Sequence, residues 1–333
     1  MLNPPDLFTD TYPIPKHPAW NIIDSSKLSD TECWRMFFYK HILGWQIDQP
    51  NVHLVFGEAW HAAREHMLLN GYDDLHGAYQ AFCKVWYSNF GDDMEQLYPA
   101  KSPTAAAQAI AQFAAHYPRD LKENKVLYTE ISGSVPVDSR RRIFFRMDSV
   151  VQNLDKGYIF SWDHKTKGGD FNQSWEDDFF LSWQNGTYTH CLYCLYPPDQ
   201  VKGVEFCGTS FKHLKTKGTV INFRRVPAFR NPRQMNIWLW NTIDLLDRYE
   251  YEMQRLSQCS ADDPVLQAFP INPGRCSKYF GCEFKAYCQT WANPLRHCQD
   301  PPLGFKVKFW DPREMDTTHK MDLEGPKGAT NAS

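Results

Sequence analysis

The 333-residue sequence lacks the features that mark membrane and secreted proteins. No apolar run approaches the roughly 18 residues that a membrane-spanning helix needs. The first residues, MLNPPDLFTDTYPIP, contain two acids and no basic segment before an apolar one, so we expect no signal peptide and a cytoplasmic protein. Net charge is −3, so no overall basic field indicates a nucleic-acid partner, and any such partner has to bind local patches.

Motor and base-reading motifs are also absent. The sequence has no Walker A loop, no helix-turn-helix or zinc-finger pattern and no internal repeat. Any unwinding of a duplex would therefore come from a partner such as a helicase or a recombinase.

What is present is an ordinary globular composition, with 42% hydrophobic and 23% charged residues. The chain also has ten cysteines. In a cytoplasmic protein these are expected to be buried thiols or metal ligands rather than disulfides.

The hydrophobic period changes along the chain. The first 120 residues read mostly as helices, and KVLYTEISGSVPV, RRIFFRMDSVVQNL and YIFSWDHKT then read as a three-stranded meander. A helix, two more strands and a long helix follow, which predicts an α/β (α+β) domain with a central mixed sheet flanked by helices. We predict a helical N-terminal region over 1–120, a core over 121–257, a cysteine-bearing tail over 258–310, and a polar, disordered tail over 311–333.

One strand ends in an acid and a lysine two residues apart. Asp163 and Lys165 point to the same face of the strand YIFSWDHKT. They are either a surface ion pair or a metal-binding carboxylate beside a lysine that acts on water.

Other acids can reach the same edge of the sheet. Asp148 interrupts the apolar strand IFFRMDSVV, and Glu130 lies on the strand before it. Carboxylates brought close together repel one another, and a divalent cation relieves that repulsion, so this set favours Mg²⁺ or Mn²⁺.

Two helices carry polar residues at spacings of four. Gly57, His61 and Glu65 share one face of the helix FGEAWHAAREHMLL, and Gln184 and Tyr188 share a face of a later helix. Considered alone, His61 could equally be a buried core histidine. Gln184 and Tyr188 could equally be an ordinary polar pair.

Together these residues resemble the PD-(D/E)XK nuclease superfamily, and in particular its RecB-like branch. GEAWH is similar to the branch's G-x-x-x-H, FRMD to its strand aspartate, DHK to its D-x-K, and QNGTY to its Q-x-x-x-Y. The resemblance extends from about Cys33 to Cys288, and the glycine often found before the strand aspartate is missing. It implies a restriction-endonuclease-like core.

The resemblance also implies roles. His61, Asp148 and Asp163 would bind Mg²⁺ or Mn²⁺, Lys165 would position or deprotonate the attacking water, and Gln184 and Tyr188 would orient the lysine or contact the DNA backbone. Glu130, with Gly57 and Glu65, would be a support residue. The implied reaction is metal-assisted hydrolysis of a phosphodiester.

The tail contains Cys276, Cys282 and Cys288 at even spacing, C-x5-C-x5-C, and Cys33 opens the first helix. This pattern indicates a metal site, with three buried thiols as the alternative. Iron–sulfur members of the branch, such as AddB and CRISPR-associated exonucleases, bind a [4Fe-4S] cluster with one early and three late cysteines. Those relatives place the first two late cysteines three residues apart, whereas here they are six apart. Zn²⁺ therefore remains an alternative to the cluster. Cys298 is a further candidate ligand.

Local basic runs could contact phosphates, and nearby aromatic side chains could stack on the bases of single strands. The predicted DNA-binding residues are Arg140, Arg141, Arg142, Arg146, Lys167, Lys215, Lys217, Arg224 and Arg225, and the stacking candidates are Trp175, Phe179, Trp183 and Trp238.

The sequence therefore predicts a metal-dependent DNA exonuclease that prefers single strands and serves recombination, repair or viral replication. A structure-specific or restriction-like endonuclease on the same core is one alternative. A catalytically idle DNA-binding scaffold is the other.

Overall fold

The computed structural model describes residues 6–278, 281–314 and 318–326. The chain forms two compact units, and each is built from three separate stretches. The first unit comprises the described residues of Met1–Gln49, Ser134–Phe145 and Asn236–Met315, and the second those of Pro50–Gly133, Arg146–Met235 and Asp316–Ser333.

Most helices lie before residue 124, and the long strands lie between residues 124 and 229. The helices are α1 (Ser25–Asp30), α2 (Trp34–Phe37), α3 (Val52–Asn70), α4 (Leu75–Tyr87), α5 (Asp93–Leu97), α6 (Pro103–His116), α7 (Asp120–Glu123), α8 (Gln173–Phe180), α9 (Trp183–Leu195), α10 (Pro232–Ser257) and α11 (Lys285–Thr290). The strands are β1 (Trp45–Ile47), β2 (Asn124–Pro136), β3 (Arg142–Asn153), β4 (Ile159–Gly168), β5 (Val201–Leu214), β6 (Gly218–Phe229), β7 (Phe305–Val307) and β8 (His319–Asp322).

A mixed six-stranded sheet has the order β6-β5-β4-β3-β2-β8. Strand β4 pairs antiparallel with β3 and parallel with β5, and β5 pairs antiparallel with β6. The parallel pair is joined by α8 and α9, since parallel neighbours need a crossover connection. The predicted fold class, a central mixed sheet flanked by helices, is confirmed.

Helix α3 forms because its sequence supplies both ends and one apolar face. The Asn51 side chain caps its first turn by accepting hydrogen bonds from His53 and Leu54, and Gly71 ends it with φ +95°. Its apolar residues recur every three or four positions and pack against α4 and α6. The core of the second unit contains Phe56, Trp60, Phe82, Trp86 and Phe113.

The first unit has a separate aromatic core. Phe37 packs against both Tyr249 of α10 and Phe269, and the Tyr249 hydroxyl donates to the Trp20 carbonyl at 3.0 Å. This unit also contains the small antiparallel sheet of β1 and β7.

Two elements differ from the sequence prediction. The helix predicted over 174–196 is two helices, because Ser182 caps α9 by accepting from the Asn185 N–H. Within the stretch 311–333, for which we predict disorder, His319–Asp322 forms the edge strand β8, and 327–333 lies outside the described residues. In the described part of the chain, no helix is long and apolar enough to cross a membrane.

Candidate active site

The predicted catalytic residues come from four elements of the second unit. Asp148 lies on β3, Asp163 and Lys165 on β4, His61 on α3, and Gln184 on α9. Both aspartates are buried, whereas the lysine is only partly covered. The structure brings all five side chains together.

Asp148 is the centre of the first group. Its Oδ2 lies 3.1 Å from Nδ1 of His61 and accepts the His164 backbone N–H at 2.7 Å. Burial alone would raise the pKa of Asp148, but the charge of His61 outweighs it and lowers the pKa far below its ordinary value. Asp148 is therefore an ionised carboxylate throughout the physiological range.

Asp163 is the centre of the second group. Lys165 Nζ lies 2.6 Å from its Oδ1, and Gln184 Nε2 donates to its Oδ2 at 2.8 Å. Burial raises the pKa of Asp163 to about 6, against the opposing charge of Lys165. The Asp163–Lys165 pair is therefore not a solvated surface ion pair.

Gln184 and Tyr188 form a relay on one face of α9. Gln184 Nε2 also donates to the Tyr188 hydroxyl at 3.0 Å, and that hydroxyl donates to the backbone carbonyl of Arg146. Burial raises the pKa of Tyr188 well above its ordinary value, so the hydroxyl stays protonated and able to donate. The relay fixes α9 to β3 and orients the Asp163 carboxylate.

Glu130 belongs to the site more directly than its predicted support role implies. One ligand atom each from His61, Glu130 and Asp148 lie within 4.8 Å of one another. Arg146 contacts the Glu130 carboxylate through Nε at 2.8 Å and through its terminal nitrogen at 2.7 Å. Burial and the nearby Asp148 charge raise the pKa of Glu130 to about 7 in spite of Arg146.

These donors fit a divalent cation. Two carboxylates and an imidazole converge, and burial together with the nearby Asp148 charge raises the pKa values of Glu130 and Asp163. A hard divalent cation would compensate that charge. Asp163, which we also predict as a ligand, is paired with Lys165 and interacts with His61 and Asp148 of this trio.

The two predicted support residues on α3 differ in their surroundings. Glu65 accepts a hydrogen bond from the Thr318 hydroxyl at 3.1 Å. A Cβ added at Gly57 would meet nothing closer than the Thr166 hydroxyl at 3.7 Å, which is ordinary contact. Close backbone approach therefore does not explain the glycine.

Several predicted DNA-binding arginines are engaged within the protein. The Arg141 side chain is 4% exposed and is paired with Asp138 and Asp247 at 2.7 Å. Arg225 is paired with Asp120 and lies over the Tyr117 ring. Both guanidiniums therefore support the fold.

The other basic candidates have different surroundings. Arg140 contacts Glu250, and Arg142 contacts Ser134. Arg224 contacts Glu176, and Arg146 contacts Glu130. Lys215 and Lys217 are exposed in the β5–β6 turn, and Lys167 is half-buried at the end of β4. Among the aromatic candidates, Phe179 and Trp238 are buried, and Trp175 and Trp183 are half-buried.

The four predicted cluster cysteines all lie in the first unit. Cys33 precedes α2 and is buried, and Cys288 lies in α11. Burial raises the pKa of Cys288 to about 11, and the nearby Cys33, Cys276 and Cys282 contribute to that shift, so the four sulfurs are neighbours. Cys298 lies 3.2 Å from the Leu295 carbonyl instead.

Comparison with known proteins gives one family match. The model of the PD-(D/E)XK nuclease superfamily matches residues 29–289. No curated protein matches the chain. A crystal structure from Eubacterium rectale, named "Putative exonuclease", is 12% identical, covers 72% of this chain and 82% of its own, and superposes with a TM-score of 0.40.

Proposed function

The chain belongs to the PD-(D/E)XK nuclease superfamily, and from that premise we propose that it is a metal-dependent exonuclease of the RecB-like type acting on single-stranded DNA. The observation that carries the proposal is the convergence of His61, Glu130 and Asp148 beside the Asp163–Lys165 pair. A protein that only binds DNA has no need of buried carboxylates, which are costly to bring together.

A divalent cation bound by His61, Glu130 and Asp148 would stabilise charge on the phosphate and lower the pKa of a bound water. Asp148 stays ionised as a ligand because of His61. Lys165 is the proton-handling group beside that position, and the Asp163 carboxylate fixes its ammonium at 2.6 Å. Gln184 fixes the carboxylate in turn.

The preference for DNA and for single strands rests on the RecB-like motif order, and binding of the strand's backbone rests on three lysines. Lys167 follows the catalytic lysine on β4, and Lys215 and Lys217 lie in the turn after β5, the strand that pairs with it. These side chains would neutralise backbone phosphates, so binding should weaken steeply with salt. A helicase or recombinase partner would supply any unwinding.

We also propose that Cys33, Cys276, Cys282 and Cys288 bind a [4Fe-4S] cluster. The support for this proposal is that Cys33, Cys276 and Cys282 all interact with Cys288, although Cys33 is far from the other three in the sequence. Metal analysis separates this cluster from Zn²⁺, which the same thiols could also bind.

The proposed activity is tested by incubating the anaerobically purified protein with Mn²⁺ and single-stranded DNA labelled at its 5′ or its 3′ end. We expect stepwise shortening that gives the polarity and that falls about a hundredfold or more in Asp163→Ala and Lys165→Ala. Asp155→Ala is the matched control, since Asp155 is an exposed acid in the β3–β4 turn.

Other outcomes decide against the proposal. Discrete internal cuts would indicate an endonuclease. Absence of cleavage of single- and double-stranded DNA by folded, metal-loaded protein would indicate a binding scaffold. Equal cleavage of RNA would contradict the preference for DNA.

A further inference from the structure

The junction between α8 and α9, residues 180–182, presents two apolar side chains to solvent. Phe180 is 42% exposed and Leu181 is 81% exposed. Exposed large apolar side chains are unremarkable singly, but two adjacent ones beside a catalytic element mark a contact surface. We call residues 180–182 the α8–α9 junction.

Hydrogen bonds from two buried side chains hold the backbone at the junction. Arg230, which is buried, donates from Nε to the Phe180 carbonyl at 2.9 Å and from a terminal nitrogen to the Ser182 carbonyl at 3.0 Å. Asn185 donates to the Phe179 carbonyl at 3.2 Å and to the Ala228 carbonyl at 2.8 Å. The backbone that carries the two side chains is therefore held in one position, which lowers the entropic cost of binding.

The junction is also close to the proposed catalytic groups. Leu181 is three residues before Gln184, whose side chain contacts Asp163, so the two Cα atoms are at most about 11 Å apart. Stacked nucleotides of one strand rise about 3.4 Å each. A strand cleaved beside Asp163 therefore has bases within reach of the junction.

The surrounding charge selects bases rather than phosphates. Asp177 and Asp178 are exposed on α8, directly before Phe179 and Phe180. These acids repel a phosphate backbone, and equally an anionic lipid surface. A neutral, flat nucleobase is the part of the substrate that fits an apolar pair bordered by acids.

We propose that Phe180 and Leu181 form a base-stacking subsite for nucleotides next to the scissile phosphate, and this inference rests on the proposed function. The subsite would contact bases without reading their sequence, because the two side chains have no hydrogen-bonding group. It makes the enzyme selective for strands whose bases are unpaired and free to stack.

The test measures binding, so that it does not depend on turnover. In the Asp163→Ala background, the dissociation constants of a short single-stranded oligonucleotide and of its abasic twin are compared by fluorescence anisotropy. We expect the abasic strand to bind about fivefold or more weakly, the usual size of one stacking contact. Leu181→Ser and Phe180→Ser should weaken binding of the ordinary strand to a similar extent and leave the abasic strand unchanged.

Leu154→Ser is the matched control, since Leu154 is 56% exposed in the β3–β4 turn. Three outcomes would overturn the subsite. Leu181→Ser weakens the binding of both strands equally, or it weakens binding no more than Leu154→Ser does. The third is that the parent Asp163→Ala protein binds neither strand. Cleavage by the protein with Asp163 intact is scored separately. Base-dependent binding without cleavage contradicts the proposed function alone, and cleavage without base dependence contradicts the subsite alone.

Discussion

Glu130 adopts a backbone conformation that few residues other than glycine adopt. Its φ is +43°, within the left-handed region, where a side chain costs about 1–3 kcal/mol. Two contacts hold it there: Arg146 binds its carboxylate, and the Thr318 N–H donates to its carbonyl at 3.2 Å. Strain of this kind persists where surrounding contacts over-determine a residue, which is consistent with a ligand role.

The first prediction concerns the metal affinity of Glu130→Gln. Because the folded pKa of Glu130 is raised to about 7, protons compete with the metal below that pH, and affinity should rise with pH until about 7 and then level off. Glu130→Gln should bind Mn²⁺ about tenfold more weakly and lose part of that pH dependence. Calorimetric titration at several pH values measures both, and an unchanged affinity would return Glu130 to a support role.

Lys101 gives the second prediction, which is independent of the metal. Its ammonium is buried, and burial lowers its pKa from 10.5 to about 7. Between those pH values the unfolded chain binds more protons than the folded one, so the free energy of unfolding should rise with pH. The Phe56 and Phe211 rings, 4.6 Å and 5.1 Å from Nζ, favour the charged form and oppose this trend.

Comparison of wild type with Lys101→Met isolates the effect. Denaturant unfolding at about pH 7 and about pH 9 should show wild type gaining up to about 3 kcal/mol more than the variant. Equal gains would mean that the two rings, and not burial, determine the protonation of Lys101.

The sequence predicted which side chains meet where spacing alone fixes their direction. Asp163 and Lys165 are two apart on a strand, and Gln184 and Tyr188 are four apart on a helix, and both pairs meet as expected. The direction of the Glu130 side chain was harder to predict. Side chains alternate between the two faces of a regular strand, but this rule does not apply to a residue with positive φ. Arg141 also pairs with Asp247, and Arg225 pairs with Asp120, and these acids are distant in sequence, so no local pattern reveals them.

Strand β8 supplies no candidate ligand, but its neighbourhood contacts the candidate metal site. It lies beside β2, and Thr318, next to it, contacts the Glu130 backbone and the Glu65 side chain. A Cβ at Gly133 of β2 would lie 1.5 Å from the Met321 carbonyl oxygen of β8. The glycine is therefore required for this strand pairing.

The third prediction follows from that close approach. Gly133→Ala should displace β8, remove the Thr318 contact from Glu130, and weaken Mn²⁺ binding about tenfold while the rest of the fold stays intact. Hydrogen exchange of residues 319–322 reports the displacement, and calorimetry reports the affinity. Gly325→Ala is the control, since a Cβ there meets nothing within 4 Å. Rapid exchange with full metal affinity would show that β8 has no positioning role.

The division of 174–196 into α8 and α9 shows what sequence periodicity cannot supply at the scale of an element. Ser182 is a good N-cap, but serine also occurs inside helices, so its presence did not predict a break. The break depends on Arg230 and Asn185, which bind the carbonyls that a continuous helix would use. Both contacts are tertiary, and they create the exposed junction on which the stacking proposal depends.

At the scale of the whole molecule, the sequence predicted the order of elements but not their assembly into units. The predicted boundaries at 120, 257 and 310 divide the chain into consecutive segments, and they stay predictions. The two observed units instead each take three stretches, with residues of β2 and β3 in both. Hydrophobic period reports local structure and contains no information on which distant stretches pack together.

The four cysteines give the last prediction, because they connect the early and late stretches of the first unit. Cys33 and Cys276 are more than 240 residues apart in the chain. A cluster closing such a loop would reduce the entropy of the unfolded chain by an amount worth about 5 kcal/mol in the loop-closure model. Cys33→Ala should therefore lose most of its iron and have a clearly lower melting temperature.

Iron and zinc analysis of the anaerobically purified variant, with calorimetric melting, makes that measurement. Cys298→Ala is the matched control: it removes a thiol of the same unit that lies against a carbonyl rather than among the other cysteines, and it should keep its metal and its stability. Iron retained in Cys33→Ala would contradict the proposed cluster, and zinc found in place of iron in wild type would assign the site to Zn²⁺. Loss of iron with no fall in melting temperature would show that the metal binds the folded and the unfolded chain equally well, because a ligand of the folded state alone must stabilise it.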